Sequence, residues 1–359
     1  MTLVVCYAMS FAYISAIIHR AMKVSEIGEF GLIDLIDKYI ARHCKPSKAW
    51  RWLKVGIGDD CAVWRSGNND VLQTTDTMVE GVHFKPGLIT WRELGWKSLA
   101  INLSDIAAMG GTPEYILVSL SIPATTSAHQ IIDYYKGLLY LANRFGVAIA
   151  GGNLAQSLLI TVNIAVTGAL DKKRSGPLLR SNAKNGDLIA ITGYPGLSSA
   201  GLRMLASGMG IDVVNGRILR KANNTPWPRI NEGMQLRSLG VRCGIDVSDG
   251  LVGDLAHICQ TSLVSAVLMY DQIPVHRSLR MLFPSDFMEL ILYGGEDYEL
   301  LFTATAEIVK VVKNHLKCPV TVIGEIIPKC DDIISVVDTA GRVLPHSLYG
   351  WDHFAVVKS

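Results

Sequence analysis

Apolar and polar residues alternate along this chain in two periodicities, which predict a succession of helices and strands. Apolar positions recur at helical spacing in three segments, 28–44, 91–109 and 128–145. The pair Gly110-Gly111 ends the second of them, as glycines commonly do. Short β-favouring apolar runs predict strands at 62–64, 71–75, 115–122, 147–150 and 158–168.

A polar stretch at 171–186 interrupts this pattern and has the composition of a linker. The alternation then resumes, with strands predicted at 188–192, 244–247, 300–303 and 320–326 and helices at 197–207 and 251–259. Both halves mix strands and helices, so we predict an α/β or α+β fold. Its predicted parts are an N-terminal extension of doubtful relevance (1–27), an N-terminal domain (28–170) and a C-terminal domain (171–359).

The bulk composition favours two folded domains and restricts the partners. At 359 residues the chain is longer than one typical domain, and 49% of it is hydrophobic. The formal charge of +2 is nearly balanced and no Lys/Arg-rich run occurs, so we expect no nucleic-acid partner. The 7 cysteines form no Cys-x-x-Cys pair, which favours reduced thiols in the cytoplasm over a disulfide framework or a zinc site.

The first 22 residues differ from the rest of the chain. Their apolar run, 3–18, is short of the ~20 residues that a membrane helix needs and lacks the basic leading segment of a signal peptide. Three interpretations stay open: a non-functional extension translated from a start upstream of Met22, a weak membrane anchor, or a helix packed on the protein body. We expect no stable membrane association.

The candidate chemistry lies in four short acidic signatures: Gly58-Asp59-Asp60, Thr74-Thr75-Asp76, Asn102-Leu103-Ser104-Asp105 and Asp246-Val247-Ser248-Asp249-Gly250. A buried carboxylate needs a partner, because removing its charge from water is costly. None of the four contains a lysine or arginine, so we expect metal ions to supply the positive charge if the four converge. Oxygen ligands without a His or Cys cluster favour Mg²⁺ over zinc or copper.

Each signature also has an ordinary structural interpretation. Asp105, on a helix that is apolar on most faces, could form a local hydrogen bond or pair with a lysine. Ser248 or Asp249 could cap the following helix, and the first two signatures could be a turn and a strand end. Segments 294–300 and 350–354 could be a hairpin turn and a packed tail. The chain contains no P-loop, Gly-x-Ser-x-Gly or kinase catalytic-loop motif.

Taken together and in order, five segments resemble the thiamine-monophosphate kinase family, within the superfamily of aminoimidazole ribonucleotide synthetase. The segments are Gly-Ile-Gly-Asp-Asp (56–60), Asn-Leu-Ser-Asp-Ile-Ala-Ala-Met-Gly (102–110), Asp-Val-Ser-Asp-Gly (246–250), Gly-Gly-Glu-Asp-Tyr-Glu-Leu (294–300) and Trp-Asp-His-Phe (351–354). Each is weak alone, and jointly they are specific. The resemblance covers about residues 28–354.

The resemblance implies a fold of two α/β domains, the first of which forms a homodimer across a β-barrel-like interface. It also implies a cleft for ATP, thiamine monophosphate and several Mg²⁺ ions. The positions that match metal ligands are Asp60, Thr74, Thr75, Asp76, Asp105, Asn153, Asp246 and Asp249. Those that match ATP-binding positions are Tyr135, Gly152, Asn153, Arg180 and Ser248, and those that match substrate-binding positions are His83, Glu296 and Trp351.

The implied reaction transfers the γ-phosphoryl group of ATP to the phosphate of thiamine monophosphate. Both reactants are anions, and two unit charges 4 Å apart repel by about 4 kcal/mol at an effective dielectric of 20. Bound Mg²⁺ would offset this repulsion. A phosphate monoester has a second pKa near ~6, so we expect no general base. The cationic thiazolium of the substrate suits an aromatic face, Trp351, and a carboxylate, Glu296.

Two alternatives remain. One is a sister ATP-using activity of the same superfamily, against which the terminal aromatic segment argues. The other is a non-catalytic protein that binds thiamine phosphate or nucleotide, prompted by one departure from the family: Gly151-Gly152-Asn153 stands where the family has Gly-Gly-Asp. Asparagine keeps a carbonyl oxygen but loses the charge, which predicts weaker binding of one Mg²⁺ rather than loss of activity.

Replacing Asn153 with Asp should therefore lower the Mg²⁺ concentration needed for half-maximal activity, because a carboxylate binds the cation more strongly than an amide does. The measurement is thiamine diphosphate formed at increasing Mg²⁺, with the unsubstituted protein as reference. An unchanged Mg²⁺ requirement would count against the hypothesis.

Overall fold

The computed structural model describes residues 29–34, 37–38, 43, 51–67, 69–171, 176–209 and 214–345. Contacts divide the chain into two units, residues 1–47 with 352–359, and residues 48–351. In the first unit the described residues are helical, and the rest of the helix predicted at 28–44 lies outside the described residues, as do residues 1–22. Within the described part of the chain, no helix combines the length and the hydropathy that crossing a bilayer requires.

The second unit contains two six-stranded sheets, the first of which is built by residues 53–170. Its strand order is β1-β2-β3-β6-β4-β5. Neighbouring strands are antiparallel except for the parallel pair β4 and β5. The strands are β1 (Leu53–Val55), β2 (Ala62–Ser66), β3 (Asn69–Val79), β4 (Thr112–Ile122), β5 (Ala148–Gln156) and β6 (Thr161–Leu170).

The second sheet is built by residues 188–337 in the order β12-β9-β11-β7-β10-β8. Here only β12 and β9 are parallel neighbours. The strands are β7 (Leu188–Thr192), β8 (Cys243–Asp246), β9 (Ser265–Met269), β10 (Leu300–Ala304), β11 (Val320–Ile327) and β12 (Ile334–Val337).

Helices cover these sheets and connect their strands. Short 3₁₀ turns occur at Arg180–Asn182 and Tyr270–Gln272. The α-helices of this unit are α1 (Trp91–Ala108), α2 (Ala128–Phe145), α3 (Leu197–Ala206), α4 (Val214–Asn224), α5 (Ile230–Ser238), α6 (Leu251–Ser262), α7 (Arg277–Leu282), α8 (Phe287–Tyr293) and α9 (Ala306–His315).

Helix α1 lies between the two sheets. It contacts β3 and β6 of the first sheet and β8 of the second, and most of its residues are buried. This explains its composition, because a helix that is covered on every side is apolar on every side. It begins at Thr90, which forms a capping box with Glu93 and so satisfies backbone N–H groups of the first turn.

Two glycines let α1 and α2 pack at very short distance. A Cβ atom on Gly95 would lie 1.9 Å from the carbonyl oxygen of Tyr134, and one on Gly137 would lie 1.7 Å from that of Arg92. Only residues without a Cβ atom allow the two backbones to approach this closely. The contact fixes α2 against the helix that carries the candidate site.

The predicted fold class is confirmed, since the structure is a mixed α/β arrangement with two sheets. The strands and helices predicted between 62 and 326 are present, with ends that differ by several residues; the strand predicted at 147–150, for example, continues to Gln156. The apolar pattern did not reveal the strands β1, β9 and β12 or the helices α4, α5, α7, α8 and α9. The predicted domain boundary at 170/171 and the dimer interface stay predictions.

Candidate active site

Three aspartates from distant parts of the sequence converge between the sheets. Asp60 follows β1, Asp105 lies on α1, and Asp246 is the last residue of β8. One carboxylate oxygen of each lies within 4.8 Å of the other two. Two unit negative charges at this distance repel by roughly 3 kcal/mol at an effective dielectric of 20. The group, called the three-aspartate group below, therefore requires either protons or nearby cations.

Polar groups of α1 and β3 form hydrogen bonds with one another beside this group. The Thr74 hydroxyl donates a hydrogen bond to Asp105 Oδ2 at 2.5 Å. The backbone N–H of Asp76 donates to Asn102 Oδ1 at 3.0 Å. Thr74 and Asp76 are two residues apart on a strand, so both point to the same face, the one that packs on α1.

The same helix also binds the second sheet. The hydroxyl of Ser104 donates to Asp246 Oδ2 at 2.6 Å, and both residues are buried. The signature 102–105 thus contacts both sheets, with Asn102 and Asp105 bound to β3 and Ser104 bound to β8. This one turn of α1 thereby fixes the relative positions of Asp76 on β3, Asp105 on α1 and Asp246 on β8.

Arg180 supplies part of the positive charge. Its Nη2 lies 2.6 Å from Asp60 Oδ1, and its backbone N–H donates to Asp59 Oδ2 at 3.3 Å. Burial lowers the pKa of the Arg180 guanidinium, but the charge of Asp60, the hydrogen bond to Asp60 and the charges of Asp59 and Asp246 together outweigh burial and raise this pKa. The expectation that metal ions alone would balance the carboxylates was therefore wrong. The balancing arginine comes from the polar stretch that was interpreted as a linker.

Burial and mutual repulsion raise the pKa values of the carboxyl groups. Burial, followed by the charge of Asp76, raises the pKa of Asp105 well above its usual value. Burial and the charge of Asp60 do the same for the pKa of Asp246. These two causes also raise the pKa of Asp76 to about 6 and the pKa of Asp59 to about 7.

The donor set fits Mg²⁺. The three-aspartate group offers carboxylate oxygens, and its hydrogen-bond partners Thr74 and Ser104 are hydroxyls, with no His or Cys among them. Such hard oxygen ligands suit Mg²⁺ or Ca²⁺ rather than softer metals. Asp60, Asp105 and Asp246 are the residues that would hold the ion. Among the described residues, Asp105 accepts a hydrogen bond from Thr74, and the possible pairing with a lysine stays untested.

Two predicted metal ligands lie on the other face of the first sheet. Thr75 points away from α1, and its hydroxyl donates to the carbonyl oxygen of Ile164 at 3.1 Å. Asn153 is in register with Ser119, which alternates with buried residues of β4 and therefore also points away from the core. The structure does not bring Thr75 and Asn153 into the three-aspartate group, and their metal roles stay predictions.

The residues predicted to bind ATP are spread over several elements. Tyr135 lies on α2, half-buried and edge-on to Tyr134 with ring centroids 5.4 Å apart. Gly152 lies on β5, where a Cβ atom would approach the carbonyl oxygen of Val118 to 1.9 Å, so close strand packing already requires glycine. Arg180 alone among these residues contacts the three-aspartate group through its side chain.

Asp254, which the sequence interpretation missed, holds the loop of the fourth signature. Its Oδ2 accepts hydrogen bonds from the backbone N–H groups of Ser248 at 3.0 Å and Asp249 at 3.1 Å. Helix α6 starts after Gly250 without a side-chain cap, so the proposed capping by Ser248 or Asp249 was wrong. Asp249, three positions after Asp246, is half-buried, and its metal role stays a prediction.

The segment 294–300 is not a hairpin turn, because it joins α8 to β10. The backbone N–H of Glu296 donates to the carbonyl oxygen of Ser248 at 2.8 Å, which ties this segment to the fourth signature. The carboxylate of Glu296 lies 2.9 Å from Nζ of Lys97, a buried residue of α1. Sequence interpretation missed Lys97, although a lysine within an apolar helix is itself a signal.

The remaining substrate-binding predictions concern His83 and Trp351. His83 lies in the turn after β3, where its Nδ1 accepts a hydrogen bond from the backbone N–H of Val79 at 3.0 Å. Trp351 lies outside the described residues, as does the whole segment 350–354 that was interpreted as a packed tail. The role of each stays a prediction.

Comparison with known proteins points to the same family that the five sequence segments resemble. Residues 58–170 match the family model described as AIR synthase related protein, N-terminal domain. The thiamine-monophosphate kinase of Buchnera aphidicola (Schizaphis graminum) is 35% identical, with 91% of this chain and 99% of the relative covered. That of Bacillus subtilis is 34% identical with the same coverage of 91% and 99%.

A solved structure, AaThiL complexed with AMPPCP and TMP, superposes with a TM-score of 0.79 at 29% identity, covering 93% of this chain and 99% of that one. The two sheets and the acidic site between them define a protein of the AIR synthase-related class. Within that class, the chain belongs to the thiamine-monophosphate kinase family.

The metal-free protein should become less stable as pH rises from about 6.5 to about 8.5. A carboxyl group whose pKa is raised by folding binds its proton more tightly in the folded state. That stabilisation is present at low pH and is lost as pH rises through the raised pKa values, about 7 at Asp59, about 8 at Asp297 and well above the usual carboxyl value at Asp105 and Asp246. Burial lowers the pKa of His257 to about 4. This residue therefore makes the protein more stable as pH rises, but only below its ordinary pKa of 6.5 and so outside the range tested.

The measurement is the thermal midpoint of metal-free protein across this pH range, repeated with Mg²⁺. We expect Mg²⁺ to raise the midpoint more at the upper end, where protons no longer compete for the carboxylates. The matched control is Asp133→Asn, which changes an exposed carboxylate of α2. A midpoint that rises between these pH values would contradict the carboxyl origin of the effect.

Proposed function

We propose that the protein transfers the γ-phosphoryl group of ATP to the phosphate of thiamine monophosphate, forming thiamine diphosphate and ADP. The observation that supports this best is the three-aspartate group beside Arg180. It occurs in a chain that is 35% identical over 91% of its length to a thiamine-monophosphate kinase. AaThiL, a structural relative, has been seen with AMPPCP and TMP together.

Charge neutralisation is the main contribution of the site. Donor and acceptor phosphates are both anionic, and their approach is opposed by repulsion of several kcal/mol, about 4 for each pair of unit charges 4 Å apart. Mg²⁺ held by Asp60, Asp105 and Asp246 would neutralise phosphate charge and act as a Lewis acid. Thr74 and Ser104 keep the carboxylates of Asp105 and Asp246 in fixed orientations, so little reorganisation accompanies binding.

Arg180 contributes a permanent charge to the same site. Its Nη2 and Nε atoms face Asp60, and its raised pKa keeps it cationic at any physiological pH. Asp60 thus orients a guanidinium group whose remaining donors suit a phosphate oxygen of ATP. We assign Arg180 to nucleotide binding on this basis.

No side-chain general base is part of the proposal. The attacking atom is an oxygen of the substrate's phosphate, whose second pKa is near ~6, so it is mostly deprotonated at neutral pH. The catalytic task that remains is to hold two phosphates in line and to balance their charge. The described site is suited to this task because it is rich in fixed carboxylates and contains a fixed cation.

The other residue assignments belong to the proposal as well. Thr74, Thr75, Asp76, Asn153 and Asp249 complete the proposed metal ligands. Tyr135, Gly152, Asn153 and Ser248 are proposed to bind ATP with Arg180, and His83, Glu296 and Trp351 to bind thiamine monophosphate. For Thr75 and Asn153, which face away from α1, contact with a metal would require an ion outside the three-aspartate group.

We also propose a cytoplasmic homodimer that forms through the first sheet. The face of this sheet that points away from α1 carries exposed apolar side chains, including Tyr115 and Leu117. Exposed apolar surface of this kind is typical of protein interfaces. A barrel-like contact between two such sheets would cover it.

The two alternatives have less support. Relatives that match 91% of the chain at 34% and 35% identity are thiamine-monophosphate kinases, which argues against a sister activity. A non-catalytic binding protein was prompted by Asn153, but the three-aspartate group and Arg180 are intact. Measuring whether the protein turns over ATP and thiamine monophosphate distinguishes an enzyme from a protein that only binds these ligands.

Replacing Asp105 with Asn should lower kcat/KM for thiamine monophosphate by more than about 100-fold, because outer-shell partners of a metal alone contribute 10- to 100-fold. The assay supplies ATP, Mg²⁺ and thiamine monophosphate and measures thiamine diphosphate and ADP together. The matched control is Asp133→Asn, the same chemical change at an exposed position of α2.

The unsubstituted protein should form the two products in equal amounts, and Asp133→Asn should match it. Absence of thiamine diphosphate at saturating Mg²⁺ would overturn the proposed function. Full activity of the Asp105 variant would instead overturn the assignment of the metal site.

A further inference from the structure

A buried lysine balances the charge of Glu296. Nζ of Lys97 lies 2.9 Å from Glu296 Oε1; the lysine side chain is 2% exposed and that of the glutamate 26%. A lysine this well covered is rare unless it is paired, since the ammonium group loses its hydration. The pair is therefore close to electrically neutral, while the carboxylate remains accessible to a ligand.

A second residue binds the other carboxylate oxygen. Nδ2 of Asn223, which is 4% exposed, donates to Glu296 Oε2 at 3.2 Å and to the hydroxyl of Ser198 at 3.1 Å. Each oxygen of Glu296 is thus held by a separate buried donor, one on α1 and one on α4. An ionised carboxylate can accept about four hydrogen bonds, so further acceptor positions remain.

The backbone of Glu296 is held in an uncommon conformation. Its φ angle is +65°, which few residues other than glycine adopt. The hydrogen bond to Ser248 fixes the segment, and Gly295 lies so close that a Cβ atom would be 2.3 Å from the carbonyl oxygen of Ser248. Strained positions of this kind persist where the surroundings impose them, and they concentrate at functional sites.

We propose that Lys97 and Asn223 position Glu296 to accept a hydrogen bond from the exocyclic amine of the substrate's aminopyrimidine ring, rather than to balance the charge of its thiazolium ring. The inference rests on the proposed function. Because Lys97 already compensates the carboxylate, the electrostatic attraction for a distant cation is small. The carboxylate oxygens of Glu296 then recognise the substrate by accepting hydrogen bonds from it.

The position of Lys97 on α1 agrees with a role of the Glu296 pair in binding the aminopyrimidine ring. Lys97 and Asp105 are eight positions apart on one helix, which corresponds to about 12 Å along its axis. The helix therefore separates the Glu296 pair from the three-aspartate group by a fixed distance. A ligand whose phosphate lies at the aspartates extends along α1 towards Glu296, which places a ring rather than the phosphate beside the pair.

The first test compares thiamine monophosphate with an analogue in which the exocyclic amine is replaced by a carbonyl oxygen. The unsubstituted protein should prefer the amine by about 10- to 100-fold in kcat/KM, because the carboxylate accepts from N–H and repels a second acceptor. In Glu296→Gln the preference should fall at least about tenfold, because an amide can also donate to the carbonyl.

The two explanations of Glu296 give different results in this experiment. If Glu296 serves the thiazolium charge, its substitution lowers kcat/KM for both substrates equally and leaves the preference unchanged, which would overturn the proposal. If the unsubstituted protein does not turn over thiamine monophosphate, the proposed function fails, and this inference fails with it. Turnover with an unchanged preference overturns this inference alone.

The second test asks whether Lys97 acts through Glu296. Lys97→Met should raise KM for thiamine monophosphate about tenfold and leave KM for ATP unchanged, and adding it to Glu296→Gln should cause little further loss. The matched control, Lys54→Met, removes an exposed lysine paired with Asp70 at 2.6 Å and should change neither KM.

Two results would show that Lys97 is only structural and would overturn its positioning role. One is a double variant whose rise in KM for thiamine monophosphate equals the product of the two single effects. The other is an equal rise in KM for thiamine monophosphate and for ATP in Lys97→Met. Melting curves of each variant reveal misfolding. If Lys97→Met does not fold, the isosteric Glu296→Gln variant still decides the proposal through its preference between the two substrates.

Discussion

Three carboxylates held within 4.8 Å of one another are the constraint on which the rest of this structure depends. Burial, together with repulsion from neighbouring carboxylates, destabilises the ionised state and raises the pKa values of Asp105 and Asp246. The fold tolerates this because Arg180 pairs with Asp60 and because hydroxyl groups donate to the other two aspartates. Such an arrangement has lower free energy when cations are bound, which is the property that phosphoryl transfer between anions needs.

Helix α1 connects this constraint to the rest of the molecule. Its residues 102–105 bind strands of both sheets, and Lys97, two turns earlier, binds the segment that carries Glu296. The helix is largely buried, with α2 packed closely against it through Gly95 and Gly137. A single rigid element thereby sets the distance between the acidic group and the Glu296 pair.

Much of this could be predicted from the sequence, because the relevant signals are local. Regular apolar spacing marks α1 as a buried helix, and an aspartate within it, Asp105, needs a partner. The partners themselves were harder to predict. Arg180 reaches Asp60 across 120 positions from a polar stretch that has the composition of a linker. The pairing of Lys97 with Glu296 likewise depends on how a helix of the first half meets a loop of the second, which no local pattern encodes.

The sequence also did not show which side chains of a strand face the site. Thr75 lies between two site residues in the sequence, but its side chain points to the opposite side of β3.

The central claim is that Asp60, Asp105 and Asp246 together hold the metal that joins two phosphates. The most direct measurement is anomalous diffraction from crystals grown with Mn²⁺ in place of Mg²⁺, a non-hydrolysable ATP analogue and thiamine monophosphate. We predict an anomalous peak at about 2.1 Å from carboxylate oxygens of all three aspartates, in contact with the nucleotide phosphates. Metal peaks confined to other positions, with the three carboxylates contacting only one another, would contradict the account.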